Sequence, residues 1–201
     1  MTFIMETDRT PLCDGGITFQ TLRLVEVSDR RIEFRPTTKM KVFCWVFMAT
    51  GFGCLGLGAF VAPHSLLHMA VAIIAGLLFA GFGLVVLKVV GRPRILDKRV
   101  GWYWKGSDPR NSADVGRRCD AVQLERIHAV QILAKLVEFT GGESPMNTIE
   151  TNYEINLVID DGSRVNVHAG GGDGRAFASD ADSVGKFLEV PVLDGRYSRM
   201  G

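Results

Sequence analysis

The sequence predicts a two-helix transmembrane hairpin joined to a soluble α+β domain, an antiparallel β barrel or sandwich with a C-terminal helix. Three observations lead there. Val42 to Ala62 and Leu66 to Val90 are long apolar stretches separated only by Pro63-His64-Ser65, and neither carries a charge before Lys88. Both flanks alternate apolar and polar residues in short runs broken by turn residues. Near the C-terminus, Phe177, Ala181, Val184 and Leu188 recur at helical spacing.

A helix rises about 1.5 Å per residue, so about 20 residues cover the hydrocarbon core of a bilayer. Both stretches reach that length. The alternative, a buried helical hairpin of a soluble protein, ordinarily leaves a polar face. About 40 residues precede the first stretch, among them Glu6, Asp8, Glu26 and Glu33, a poor match to a cleaved signal peptide. The chain therefore divides into an N-terminal segment with a β-hairpin (1–41), a membrane hairpin (42–90) and a soluble domain (91–201) that the N-terminal hairpin is expected to complete.

The 23 Lys and Arg nearly balance 22 Asp and Glu, yet the cations are unevenly placed. Arg30, Arg31, Arg35, Lys39 and Lys41 precede the hairpin, and Lys88, Arg92, Arg94, Lys98, Arg99 and Lys105 follow it. The connecting turn has none. Because Lys and Arg are retained on the cytoplasmic side, both termini are expected there, in a multi-pass protein of the cell (inner) membrane. Arg35, Lys39, Lys41, Arg92, Arg94, Lys98, Arg99 and Trp102 are the candidate headgroup and interface residues, worth on the order of 1 kcal/mol per cation against anionic lipid. Between the helices, Thr50, Cys54 and Gly58 are expected to pack against Ala72, Gly76 and Ala80, with Gly51, Gly53, Gly56 and Gly83 as further close-approach positions. A homodimer through a leftover small-residue face is the alternative use of that pattern.

In the flanks, Ile17 to Val27 and Ile32 to Phe34 read as a β-hairpin turning at Ser28-Asp29, and Arg94 to Leu96 with Val100 to Trp104 as a second. Gly106 to Asp120 and Gly141 to Asn152 read as loops. Val122 to Phe139 fits a helix face through Ile127, Val130, Leu133 and Val137, but its β-branched content favours a strand. Tyr153 to Ile159 alternates cleanly and turns at Asp160-Asp161-Gly162 into Val165 and Val167. A helix follows from about Arg175 to Leu188, and Val190-Pro191 ends it. Seven strands and one helix result.

The run Tyr153-Glu-Ile-Asn-Leu-Val-Ile-Asp-Asp-Gly-Ser-Arg-Val-Asn-Val167, the glycine-rich loop after it and Phe187-Leu-Glu-Val-Pro191 resemble bacterial membrane proteins with pleckstrin-homology-like domains. The resemblance covers about the last hundred residues. It implies a small β domain beside transmembrane hairpins, in a group where many members have no assigned activity, and it names no site residue.

Candidate chemistry is sparse. Gly170 to Arg175 could hold an anion on backbone N–H groups, but it lacks both nucleotide-binding glycine signatures and reads as a strand-to-helix connection capped by Asp173. His64 and His68 stand four apart without a third ligand in sequence. His128 and His168 read as surface or edge residues of strands. Cys13, Cys44, Cys54 and Cys119 show no paired spacing, so no disulfide framework is expected. Trp102, Tyr103 and Trp104 beside Lys98, Arg99 and Lys105 read as an interfacial anchor rather than a nucleic-acid surface. No catalytic set, metal site or cofactor is expected. The sequence points to a non-enzymatic membrane adaptor or scaffold that binds a protein partner or a membrane component, with an immunity (toxin-neutralising) protein of the inner membrane as the alternative.

Overall fold

The computed structural model describes residues 10–12, 19–61, 66–108, 121–139 and 148–196. They form two compact units, Met1–Arg35 with Pro93–Gly201, and Pro36–Arg92. Cys13, His64, Cys119 and most of the two expected loops lie outside the described residues.

The smaller unit is the helical pair α1 (Thr38–Val61) and α2 (Leu66–Val89). Thr37 caps α1, its hydroxyl accepting from the Met40 backbone N–H at 3.2 Å. Each helix is about 36 Å long. Their seam runs through Cys44, Met48, Gly51, Leu55 and Gly58 on α1, steps of four and three that hold one face of a helix toward its neighbour. Ala72, Gly76, Ala80 and Gly83 line it on α2. Backbones touch here: a Cβ added to Gly51 would lie 2.5 Å from the Ala80 nitrogen, and one on Gly76 2.8 Å from the Gly51 oxygen. Thr50 is exposed, correcting its expected packing role. Two strict four-residue steps rotate about 40° each, so the Thr50-Cys54-Gly58 series drifts off the seam and only Gly58 sits fully in it. Gly53 and Gly56 face open space.

The larger unit is α+β. One sheet, in order β1-β2-β3-β4-β5, comprises β1 (Leu22–Ser28), β2 (Arg31–Pro36), β3 (Arg94–Asp97), β4 (Trp102–Lys105) and β5 (Val122–Gln123). A 3-10 turn at Leu124–Arg126 carries the chain to the second sheet. That sheet, in order β8-β7-β6-β9, comprises β6 (Ile127–Phe139), β7 (Thr148–Ile159), β8 (Arg164–Gly171) and β9 (Val192–Asp194), with β9 parallel to β6. Among the described residues the sheets remain separate and no closed barrel forms. The helical hairpin stands in the connection between two paired strands, since Arg31 to Phe34 pair antiparallel with Asp97 to Arg94.

One core unites the unit. Leu22, Ile32, Phe34, Leu96 and Tyr103 from the first sheet meet Val130, Ile132, Ile155, Leu157 and Val167 from the second. Helix α3 (Gly174–Leu188) adds Phe177, Ala181 and Val184, the expected face. Gly185 lets β9 approach, since a Cβ there would lie 2.5 Å from Val192 Cγ2. The Asp160-Asp161-Gly162 turn forms as its residues dictate. Gly162 adopts φ +81°, and Asp161 Oδ1 accepts from the Ser163 N–H at 2.8 Å.

Two bulges reset the side-chain alternation. Beside the Ile127–Ile159 pair, His128 is the extra residue, leaving Ile127 and Val130 inward at a helix-like interval. Between the Ile155–His168 and Asn156–Asn166 pairs, Val167 is extra, and both Val167 and His168 turn into the core.

Candidate membrane hairpin and polar sites of the β domain

The hairpin's large apolar side chains point outward. Of the exposed large hydrophobic residues described, all but Leu12, Val27 and Leu136 lie on α1 or α2, including Trp45, Phe52, Phe60, Leu67 and Leu78. An aqueous helix would bury such groups, so the surface matches a hydrocarbon solvent. Both helices are long and apolar enough to cross a membrane. Because they are antiparallel, Lys39 and Lys41 at the start of α1 share one end of the pair with Lys88 and Arg92 at the finish of α2, all four exposed. Arg92 Nε donates to the Lys88 carbonyl at 3.1 Å, closing the last turn. Near that end, Phe47 packs between Phe43 and Phe82, with centroids 4.8 and 4.9 Å away. The opposite end carries His68 but no Lys, Arg, Asp or Glu among the described residues.

The remaining expected interface residues have commitments inside the β domain. Arg35 Nε donates to Glu33 at 2.7 Å. Arg99 forks onto Asp97, with Nη2 at 2.9 Å and Nε at 3.2 Å. Lys98 pairs with Glu189 at 3.0 Å and lies 5.0 Å from the Phe187 ring. Arg94 and Trp102 are half-buried. Tyr103 and Trp104 are fully buried, which corrects the interfacial anchor expected of them. Alternation explains it: Tyr103 enters the main core, and Trp104 packs with Ile95 on the opposite face of the sheet.

An ion network that sequence reasoning missed covers that opposite face. Arg31 Nε donates to Glu33 at 2.6 Å and Nη2 to Asp108 at 2.5 Å, while its guanidinium lies 5.9 Å from the Trp104 ring. Burial opposes the charge of Arg31, but Asp108 and Glu33 more than offset it and raise its pKa. Burial likewise opposes ionisation of Asp97, and hydrogen bonds and charge from Arg99, with the charge of Arg31, outweigh it and hold the carboxyl below its ordinary range. Three cations face three carboxylates, a closed set suited to locking β2 onto β3. The Arg-x-Glu-x-Arg alternation of residues 31–35 was the available signal.

His168 overturns its expected surface placement. It is fully buried, stacked on Phe177 at 4.6 Å and 9°, and 5.8 Å from Phe34. Neither ring nitrogen has a hydrogen-bond partner. Burial, assisted by the positive charge of Arg94, pushes its pKa down to about 3, so at neutral pH the imidazole serves as an aromatic core residue. His128 is exposed.

The glycine-rich connection ends as a capped helix. Asp173 Oδ1 accepts from the Arg175 N–H at 2.9 Å, placing the chain's own carboxylate where an external anion would bind. Replacing it, Asp173→Ala, is expected to cost about 1 kcal/mol, read as a lower denaturant midpoint at unchanged slope. Arg126 clamps the turn at Asp160 and Asp161 at 2.7 and 3.0 Å, a further structural use of those carboxylates. A shallow groove of about 480 Å³ along the outer side of α3 mixes Arg175 and Lys186 with Asp182 and two serines. Among the described residues no group of three His, Cys, Asp or Glu is placed to hold a metal ion.

The outer face of the second sheet carries a buried polar row that the sequence did not announce. Asn152, Glu154 and Asn156 alternate along β7, opposite in direction to core residues Ile155 and Leu157, and all three are buried. Asn166 Nδ2 on β8 donates to Glu154 at 3.2 Å and to Asn156 Oδ1 at 3.1 Å. Gln131 on β6 pairs in register with Asn156 and accepts from Arg164 at 3.3 Å. Compared with protein-family models, curated proteins and solved structures, the chain gives no match in any of the three.

Proposed function

We propose that this chain is a membrane-anchored, non-catalytic adaptor: a hairpin crossing the bilayer twice, carrying one pleckstrin-homology-like domain on the cytoplasmic side of a bacterial inner membrane, where it holds a protein partner or a membrane component. The observation that carries the reading is the pairing of β2 with β3 across the hairpin. Strands that share a hydrogen-bonded ladder lie in one aqueous compartment, so a membrane element between them must enter and return. The cations at one end of the hairpin then select the side, and each adds on the order of 1 kcal/mol of attraction to anionic headgroups. The polar clusters of the domain support a non-catalytic role, since their charges are consumed in internal pairs.

Labelling with a membrane-impermeant maleimide tests the topology. In full-length protein with its native cysteines replaced by alanine, Ser65→Cys is expected to react in intact cells, and Asp29→Cys only after permeabilisation. Equal reactivity of both positions in intact cells would refute the reading, as would extraction of the protein by alkaline carbonate.

A further inference from the structure

Residues 10–12 lie on the polar row of β7. The Leu12 backbone N–H donates to both carboxylate oxygens of Glu154 at 3.0 Å, and Arg164 Nη2 donates to the Thr10 hydroxyl at 3.4 Å. The Leu12 side chain itself is 44% exposed, so apolar burial contributes little and Leu12 is held through its main-chain N–H. On either side of Glu154 the row is unsatisfied: both amide atoms of Asn152, and Nδ2 of Asn156, are buried without a hydrogen-bond partner. Orphaned amides of this kind cost about 1 to 3 kcal/mol each, and a ligand offering both donors and acceptors would recover that cost.

Spacing identifies the ligand class. Alternate residues of a strand recur every 6.8 Å or so, the same interval at which an extended peptide repeats its N–H and C=O groups. Carboxamides at Asn152 and Asn156 supply both donors and an acceptor, and Glu154 takes the N–H between them. We infer that this face is a binding site for an extended polypeptide segment, occupied in cis by the chain's own residues 10–12 and opened to a partner's segment when they leave. The inference rests on the adaptor reading and gives its partner a chemistry: main-chain recognition along β7, gated by an intramolecular strap.

The test uses full-length protein in detergent and a fluorescein-labelled peptide of residues 6–16, with Cys13 replaced by serine. Leu12→Pro in the protein deletes the N–H that Glu154 accepts and releases the strap. The peptide is expected to bind this variant at least about tenfold more tightly than wild type, in which the competent state is reduced by cis occupancy. Binding should be lost when Glu154→Leu, which removes the acceptor, is added to that variant. It should also be lost when the peptide itself carries Leu12→Pro, a change that cannot unfold the protein. Equal affinity for the wild-type and Leu12→Pro proteins, indifference to the peptide substitution, or absence of binding to the variant would overturn the inference. None of these outcomes bears on labelling at Ser65 and Asp29, so the strap can fail while the anchor stands.

Discussion

Between pH 6.5 and pH 4 the β domain is expected to lose stability at about 1.4 kcal/mol per pH unit through His168 alone. The imidazole is buried between Phe177 and Phe34 with neither nitrogen hydrogen-bonded, and its pKa falls from 6.5 to about 3. In that window the unfolded chain binds the proton and the folded chain does not. Stability is therefore full above 6.5 and declines as pH falls, levelling only below about 3. His168→Phe keeps an aromatic ring against Phe177 and deletes the titration. Urea midpoints of wild type and variant, measured from pH 7.5 to 4, should converge at the alkaline end and separate steadily toward acid. Parallel curves would show that the imidazole is solvated or paired. Asp180 works in the opposite sense: burial lifts its carboxyl to about 6, so folding gains as pH falls from there toward 3.8. Both proteins share that contribution, and it cancels in their difference.

The second large effect lies in the hairpin, where one chemical change is expected to act in opposite directions at two glycines. Gly76→Leu places a side chain where even a Cβ would be 2.7 Å from Leu55 Cγ and 2.8 Å from the Gly51 oxygen. Relief requires the helices to separate, at a cost of about 1 to 3 kcal/mol or more, because the Gly51 backbone oxygen stands in the way together with the Leu55 side chain. At Gly53 an added Cβ would meet nothing within 4 Å, and Gly53→Leu gains helix propensity of about 0.8 kcal/mol. Unfolding of detergent-solubilised protein, followed by helix-to-helix energy transfer, should show a lowered midpoint for the first and an unchanged or raised midpoint for the second. Similar losses at both sites would mean that a second surface packs on the Gly53 face.

What could be read from the chain beforehand was what local chemistry decides. Length and apolarity marked α1 and α2, helical spacing marked the inner face of α3, and Asp-Asp-Gly and Asp173 announced a turn and a cap. The misplacements share a cause, which is that a side chain's direction depends on counting from a fixed register. One extra residue at Val167 turns His168 inward, and a seam stepping by four and three passes through Gly51 instead of Thr50. Trp102, Tyr103 and Trp104 read together as one interfacial anchor, although adjacent strand residues face opposite sides. β9, three residues held parallel to β6, has too little sequence to signal itself. The contact of Leu12 with Glu154 joins positions 142 apart, and nothing local at either end encodes it.

The placement of the hairpin between β2 and β3 imposes an order on biogenesis. β1 and β2 leave the ribosome first, yet an isolated two-stranded ribbon is marginal in water, and the ladder from Arg31 to Asp97 cannot form until both helices have been made. In the proposed topology the insertion machinery takes up the helices during that interval, while the nascent strands wait with open edges, exposed to aggregation or degradation. In the proposed topology, completion of the sheet becomes a checkpoint: only a chain whose second crossing has returned to the starting side would close its domain, and a misinserted copy would carry its own mark for disposal in the unpaired strands.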